Sequence, residues 1–419
     1  MLIKRGIKSE PDRWGVLPIS FLLLLLCSCS LIGLRRQVEK MEAHGGIAVQ
    51  VSPLPKGSIP TYALVWTRGD DGELESAGFQ RLRSGGIAAF SLLTNHYYSV
   101  GAFTDENKNG KYDAGEPFGR IENVVPQSFA EGSAQPRVLP LLLTREHNFP
   151  AGTVIEVPTK NESLGTVLNI ALGDVVSLDD PRFAVDTGSG GMWRPLDFLT
   201  DNTVGIYFIE DYDAKRIPVV LVYGIGGSVQ DWRTVIGQLD RSKYQVWFFH
   251  YPSGMRLERL ARVMSSGLLL LKQRHEFSQC DVVAHSMGGL ISTAAVRFAV
   301  DAAGTNFIPH LVTVSTPFGG HKAAALGVRH LKKPVPSWLD VKPESDFLLA
   351  LYSKPFPKGT KHDLIYGELG SDDGVVTVES ELDSRITNRV ASITGFHFGH
   401  EQILNEPETI NRIQQCLRD

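Results

Sequence analysis

Ala284-His285-Ser286-Met287-Gly288-Gly289 stands between an apolar run, Cys280-Asp281-Val282-Val283, and a small-residue stretch with helical spacing from Leu290 to Val300. A strand that turns sharply into a helix at a serine forces that serine into a strained backbone conformation, so the residues two before and two after must be small. Here they are Ala284 and Gly288. The turn presents the hydroxyl above the end of the strand, and backbone N–H groups opening the helix face any oxyanion that develops beside it. Residues of these types in this order point to acyl-transfer chemistry.

A serine hydroxyl is a poor nucleophile at neutral pH, so an imidazole must take its proton and a carboxylate must hold the imidazole in the right tautomer. Both follow downstream, each after an apolar segment. After residues 363–366 comes Ser371-Asp372-Asp373-Gly374-Val375-Val376, and after residues 390–394 come His397 and His400. Asp373 is favoured over Asp372 because it directly precedes Gly374, where the loop can turn a carboxylate toward the histidine. Asp372 reads as bonding the turn or solvating it. His400 is favoured over His397 because Gly399 precedes it and Glu401-Gln402-Ile403-Leu404 opens an amphipathic terminal helix, which leaves His397 as a supporting donor. The second oxyanion donor is expected from the loop Tyr223-Gly224-Ile225-Gly226-Gly227, so the two donors are the N–H groups of Ile225 and Met287. That loop carries neither G-x-x-x-x-G-K-[ST] nor G-x-G-x-x-G, which sets nucleotide binding aside.

The elements that must position these residues are legible. Residues 217–223, 245–250, 281–284, 310–314, 363–366 and 390–394 are short and apolar throughout, as strands covered on both faces are. Leu257, Leu260, Met264, Leu268 and Leu271 recur at helical steps and predict an amphipathic crossover helix. The alternation predicts an α/β fold with a doubly wound, mostly parallel sheet over residues 211–419 and a ligand site at the carboxyl ends of its strands. Residues 45–145 read as a small β-sandwich, with alternating segments at 47–51, 62–67, 87–92 and 97–103 between turn-forming clusters. Residues 146–210, broken by Pro and Gly, read as a linker and cap, with 166–172 open between strand and helix.

Val222 to Gly227 with Trp232, Ala284 to Gly289, Ser315-Thr316-Pro317-Phe318-Gly319-Gly320 and Asp373 to Val376 together resemble the lipase and esterase branch of the α/β-hydrolase superfamily, with similarity to bacterial lipases and inositol-deacylase-like hydrolases. The resemblance covers about residues 217–417 and implies a Ser286-Asp373-His400 triad that cleaves carboxylic esters through an acyl-enzyme, with no cofactor for catalysis. Tyr223 and Ala284 depart from its pattern, standing where a histidine and a glycine are usual. Two other readings stay open: acyl transfer to an alcohol or amine on the same triad, and a surface-binding lipoprotein without activity.

The segment 321–357 interrupts the sheet pattern at the carboxyl end of the strand after the nucleophile strand, and its apolar residues, Trp338 and Leu339 among them, are expected to form a lid or line an acyl pocket. The alternative is a packed helical excursion. In the first module, Asp105-Glu106-Asn107-Lys108-Asn109-Gly110-Lys111-Tyr112-Asp113-Ala114-Gly115-Glu116 fits D-x-[DN]-x-[DN]-G-x5-E. Its oxygens (Asp105, Asn107, Asn109, the Lys111 carbonyl, Asp113, Glu116) suit a structural calcium ion, against an unmetallated turn as the plainer reading.

Lys4, Arg5, Lys8 and Arg13 precede the apolar run 16–26, which is short for a span, and Leu26-Cys27-Ser28-Cys29 resembles a lipobox. Residues 1–29 are therefore expected to be a lipoprotein signal peptide, with Cys29 as the lipid-bearing residue and the protein anchored in the cell envelope, at the outer membrane if the cell has one. Processing there leaves two of the four cysteines, Cys280 and Cys416, and no disulfide framework. A net charge of −4 without a basic stripe argues against a nucleic-acid partner, so the expected partners are an ester or lipid substrate and the membrane.

Overall fold

The computed structural model describes residues 33–55, 58–69, 73–82, 86–130, 138–146, 149, 155–156, 166–168, 170–202 and 204–418. The expected signal peptide and Cys29 lie outside the described residues.

Eight strands form the larger sheet: β1 (Ile170–Val175), β2 (Val204–Phe208), β3 (Ile217–Val222), β4 (Tyr244–His250), β5 (Asp281–His285), β6 (His310–Val314), β7 (Lys361–Gly367) and β8 (Ser392–Phe396). Their order across the sheet is β1-β2-β4-β3-β5-β6-β7-β8. From β4 to β8 every pairing is parallel; β2 runs antiparallel to β4, and β1 runs parallel to β2. Every residue of β4 and β5 is buried, because helices cover both faces and an unbroken apolar strand is what such a site requires.

Among the helices are α1 (residues 33–43), α2 (Val185–Trp193), α3 (Pro195–Asp201), α4 (Leu257–His275), α5 (Met287–Ala303), α6 (Lys322–His330), α7 (Pro336–Val341), α8 (Asp346–Tyr352) and α9 (Pro407–Cys416). In α4 the predicted stripe Leu257, Leu260, Met264, Leu268 and Leu271 is the buried face. Burying one such side chain is worth about 1.5–3 kcal/mol, so the stripe sets which way the helix lies. Cys280 and Cys416 are both buried, and among the described residues no helix is long and apolar enough to cross a membrane.

The sheet begins earlier than residue 211. The segment 146–210, read from sequence as linker and cap, supplies β1, α2, α3 and β2, so its second half belongs to the eight-stranded sheet. The stretch left open at 166–172 serves two sheets: Thr166–Val167 pairs with Ile87–Leu93 of the first module, and Ile170 opens β1. The last strand starts two residues later than expected, at Ser392.

The first module is a sandwich. One sheet contains His44–Ser52, Ile87–Leu93, Val138–Leu142 and two short strands; the other contains Leu74–Arg81, Thr61–Arg68, Tyr98–Thr104 and Phe118–Val124, all antiparallel. Ile47, Val49, Val51, Ala63, Val65, Phe90, Leu92 and Val100 fill the space between them. Leu74–Arg81 and Phe118–Val124 were not foreseen, because most of their residues are exposed or half-buried and their sequences carry little alternation.

Candidate active site

Ser286 lies between the last residue of β5 and the first residue of α5, at φ 53°, ψ −133°. This is backbone a serine does not adopt unaided, and its neighbours enforce it. Its N–H is tied to Val314 O at 2.8 Å, and Gly289 N donates back to Ser286 O at 2.9 Å. A Cβ on Gly288 would come within 2.3 Å of Tyr223 O, which is why the helix start tolerates no larger residue there. One built on Gly224 would meet Ser286 Cβ at 2.8 Å, so the loop after β3 reaches Ser286 only as glycine.

That loop is held from beneath. The Tyr223 hydroxyl donates to Tyr251 O at 2.6 Å and accepts from Tyr251 N at 2.7 Å, and the two rings stack at 4.5 Å. Tyr251 in turn donates its hydroxyl to Tyr223 O. The tyrosine that departs from the resemblance is thus a buried strut joining the ends of β3 and β4. Ser253 Oγ accepts from Gly226 N at 2.9 Å, and Ser228 and Asp231 close a capping box behind the loop. Ile225 follows Gly224 in it, and Met287 is the first residue of α5, where backbone N–H groups have no partner within the helix.

The structure brings Asp373 and His400 together. Asp373 Oδ2 accepts from His400 Nδ1 at 2.5 Å, and His400 N donates to Asp373 O at 2.9 Å, so the two loops are joined twice. Asp373 Oδ1 accepts from Val376 N at 2.7 Å and Val375 N at 3.0 Å, the bonds that Gly374, at φ 94°, makes possible. Burial pushes the Asp373 carboxyl up, but the His400 bond and charge and the two backbone donors outweigh it and hold it below the ordinary range. Asp372 bonds its own turn, accepting from Gly374 N and from Ser371 Oγ, each at 3.0 Å. His397 is exposed, whereas His400 is buried.

His285 is a site residue that the sequence did not single out. Its Nε2–H donates to His400 O at 2.8 Å, with the rings 4.7 Å apart. Burial, and then the neighbouring His400, push its pKa down to about 3, so it stays neutral and holds the His400 backbone beside Ser286. Its position directly before the serine was the available signal. Among the described residues no hydrogen bond joins Ser286 Oγ to His400 Nε2; such contacts are often long before substrate binds.

The segment 321–357 folds as α6, α7 and α8. Its root is Asp340, which binds Arg256 Nη2 at 2.7 Å and accepts from Leu257 N at 2.6 Å, capping α4. Trp338 packs edge-on against Trp193 at 6.0 Å, in a cluster with Leu34, Val38 and Val335. Leu339 is half-buried in α7. In the first module, Asp105 takes the N–H groups of Asn109 and Gly110 at 3.1 and 3.0 Å. Glu116 takes those of Glu106 and Asp113 at 2.7 and 2.9 Å. The amides of Asn107 and Asn109 both donate to Asp113, each at 2.6 Å, and Lys111 pairs with Glu156. Among the described residues no three His, Cys, Asp or Glu side chains form a metal-holding group.

Residues 256–418 match the family described as an alpha/beta hydrolase of unknown function (DUF915). Among solved structures, the mature form of a Bacillus licheniformis lipase is 18% identical, over 50% of this chain and 94% of its own, with a TM-score of 0.41. The product of the Listeria innocua gene lin2722 is 18% identical over 49% of this chain and 94% of its own (TM-score 0.39). Aspergillus fumigatus lipase B is 16% identical over 51% and 56% (TM-score 0.40). No curated protein matches the chain. The strand order, the strained serine after β5 and the matched family give residues 170–418 the α/β-hydrolase fold.

Proposed function

We propose that the protein is a serine hydrolase that cleaves carboxylic esters with apolar acyl groups. The observation that carries the reading is the closed Asp373–His400 pair beside a serine held at positive φ on a helix N-terminus. Ser286 Oγ attacks the ester carbonyl as His400 Nε2 takes its proton. The N–H groups of Ile225 and Met287 receive the oxyanion. His400 then returns the proton to the departing alkoxide, leaving an acyl group on Ser286, and water activated by the same histidine releases the acid. Asp373 stays ionised and stabilises the imidazolium in both halves. Labelling by a fluorophosphonate tests this: wild type reacts and Ser286→Ala does not. An unlabelled wild type, or an equally labelled variant, overturns it.

Three further readings belong to this proposal. Cys29 carries lipid and anchors the protein in the cell envelope; the Leu26-Cys27-Ser28-Cys29 pattern supports this. The loop from Asp105 to Glu116 takes a structural calcium ion through Asp105, Asn107, Asn109, the Lys111 carbonyl, Asp113 and Glu116, a reading its residue spacing supports. Trp338 and Leu339 serve as lid or acyl-pocket residues, supported by their place in the insertion after β6.

A further inference from the structure

Behind Asp373 lies a second carboxyl group that the reaction above does not use. Glu381 ends the short helix Val378–Glu381, a few residues after the acid loop, and is completely buried. Its Oε1 accepts from Gly367 N at 3.4 Å, at the end of β7, and its Oε2 has no hydrogen-bond partner. Ser315, just after β6, is equally buried, its hydroxyl faces the Glu381 carboxyl, and it is held at φ 48°, a conformation a serine adopts only under constraint. Gly367 is the meeting point of these groups. A Cβ built there would lie 3.2 Å from Asp373 Cβ and 3.4 Å from Ser315 Oγ. The ends of β6 and β7, the acid loop and the helix carrying Glu381 thus converge on one buried region.

The charges around that region have one sign. Asp373 from the acid loop and Glu368 just after β7 both oppose ionisation of Glu381, while the Ser315 hydroxyl and Gly367 N–H favour it weakly; Tyr366 on β7 also feels the Glu381 charge. Beyond Asp373 stands His400, whose positive charge during turnover is already countered by the Asp373 bond. A second carboxylate here would be a buried charge beside a like charge, an arrangement that neutralises itself by keeping a proton.

We propose that Glu381 is a positioning residue for the acid of the catalytic pair, held as the neutral carboxylic acid so that it can fill the space behind Asp373, bind Gly367 N–H and add no second negative charge beside Asp373. This rests on the hydrolase reading above and deepens it. Burial, then the Asp373 charge, push the Glu381 pKa up to about 9. Above that pH the carboxylate must leave the pocket or displace its neighbour, and either movement releases the Gly367 contact that backs Asp373.

The test follows the rate of fluorophosphonate labelling of Ser286 in the full-length protein from neutral to alkaline pH, for wild type, Glu381→Ala and Glu381→Gln. Glu381→Ala should slow labelling at neutral pH by up to about 100-fold, the scale of a misplaced catalytic group. Glu381→Gln, which cannot ionise and fills the same volume, should restore most of that rate. Wild type should lose rate reversibly, about tenfold per pH unit above about 9, and Glu381→Gln should not. Identical alkaline profiles for wild type and Glu381→Gln overturn the proposal, and so does a Gln variant as slow as Ala. Should the Ala variant fail to fold, the comparison of wild type with Gln decides alone. Difference infrared spectra separate the two levels of the reading. A protonated-carboxyl band present in wild type, absent in Glu381→Gln and lost at alkaline pH supports the neutral acid even if Ser286 never labels, whereas normal labelling without that band removes Glu381 and leaves the hydrolase standing.

Discussion

Asp373→Asn isolates what the carboxylate does, because the structure allows the amide to keep every bond except the one that matters. Asp373 accepts from Val375 N and Val376 N through Oδ1 and from His400 Nδ1 through Oδ2. An asparagine satisfies the two backbone donors only by placing its carbonyl oxygen where Oδ1 was. Its NH2 group then faces His400, so Nδ1 must become the acceptor and the ring proton moves to Nε2. In that tautomer the imidazole cannot take the serine proton. Losing a charge-assisted hydrogen bond alone is worth about 1.5–3 kcal/mol. A wrong tautomer takes the loss to about four orders of magnitude in kcat, or about 5.5 kcal/mol. The larger figure is therefore expected, with melting temperature little changed because the loop keeps its backbone bonds. Turnover of a medium-chain p-nitrophenyl ester, checked by fluorophosphonate labelling, measures it. Asp372→Asn is the control: it disturbs only a turn bonded to Gly374 and Ser371, so its effect should stay within a few-fold. A loss below tenfold for Asp373→Asn, or a larger loss for Asp372→Asn, refutes the assignment.

Glu381 also makes a stability prediction. Its folded pKa of about 9 exceeds the ordinary 4.5. The folded state therefore keeps a proton that the unfolded state gives up, and stability falls by about 1.4 kcal/mol per pH unit as pH rises between those values. Glu381→Gln removes that slope, so denaturant unfolding should show the variant gaining on wild type from pH 5 to pH 8; parallel curves contradict it. Tyr223→Phe deletes the strut hydroxyl and leaves Tyr251 N unpaired, at about 1–3 kcal/mol of stability plus slower acylation, read by thermal melting and labelling rate. Trp338→Ala should lower kcat/KM on medium-chain esters more than on acetate, and an equal loss on both counts against an apolar acyl site. Calorimetry on dialysed protein should show calcium uptake that Asp105→Ala abolishes, and absence of heat removes the ion from the loop.

Much of this site was legible because its chemistry sits where the chain must be regular or must turn. Ser286 is marked by the small residues its backbone strain demands, Asp373 by the glycine after it, and His400 by its place between a strand and the terminal helix. Central strands buried on both faces announced themselves as apolar runs. What the sequence hid depends on partners far along the chain. Glu381 is an acidic residue in a short helix, and nothing local tells that Ser315, Gly367 and Asp373 close around it. His285 is marked only by standing directly before Ser286, yet its ring supports His400, which lies 115 residues away. Residues 170–208 were broken into a linker by their glycines and prolines, although β2 finds a partner in β4 and α2 uses its glycines for close packing: a Cβ at Gly188 would strike Gly227 O.

The same long-range logic joins the first module to the catalytic sheet. Strand Ile87–Leu93 reads as apolar at almost every position, which alternation in a free sandwich does not explain. Its two faces have different owners. Ala88, Phe90 and Leu92 point into the sandwich, whereas Ile87 and Ala89, with Met41 and Phe129, belong to the core that includes the hydrolase strands. Arg259 of α4 lies over the Phe129 ring at 4.9 Å and donates to Ser128 O, so the first turns of α4 grip the sandwich. Two residues earlier the same helix is capped by Asp340 from the excursion after β6. One helical turn therefore fastens the first module and the excursion to the sheet that carries Ser286, and a displacement of either bears on the other through α4.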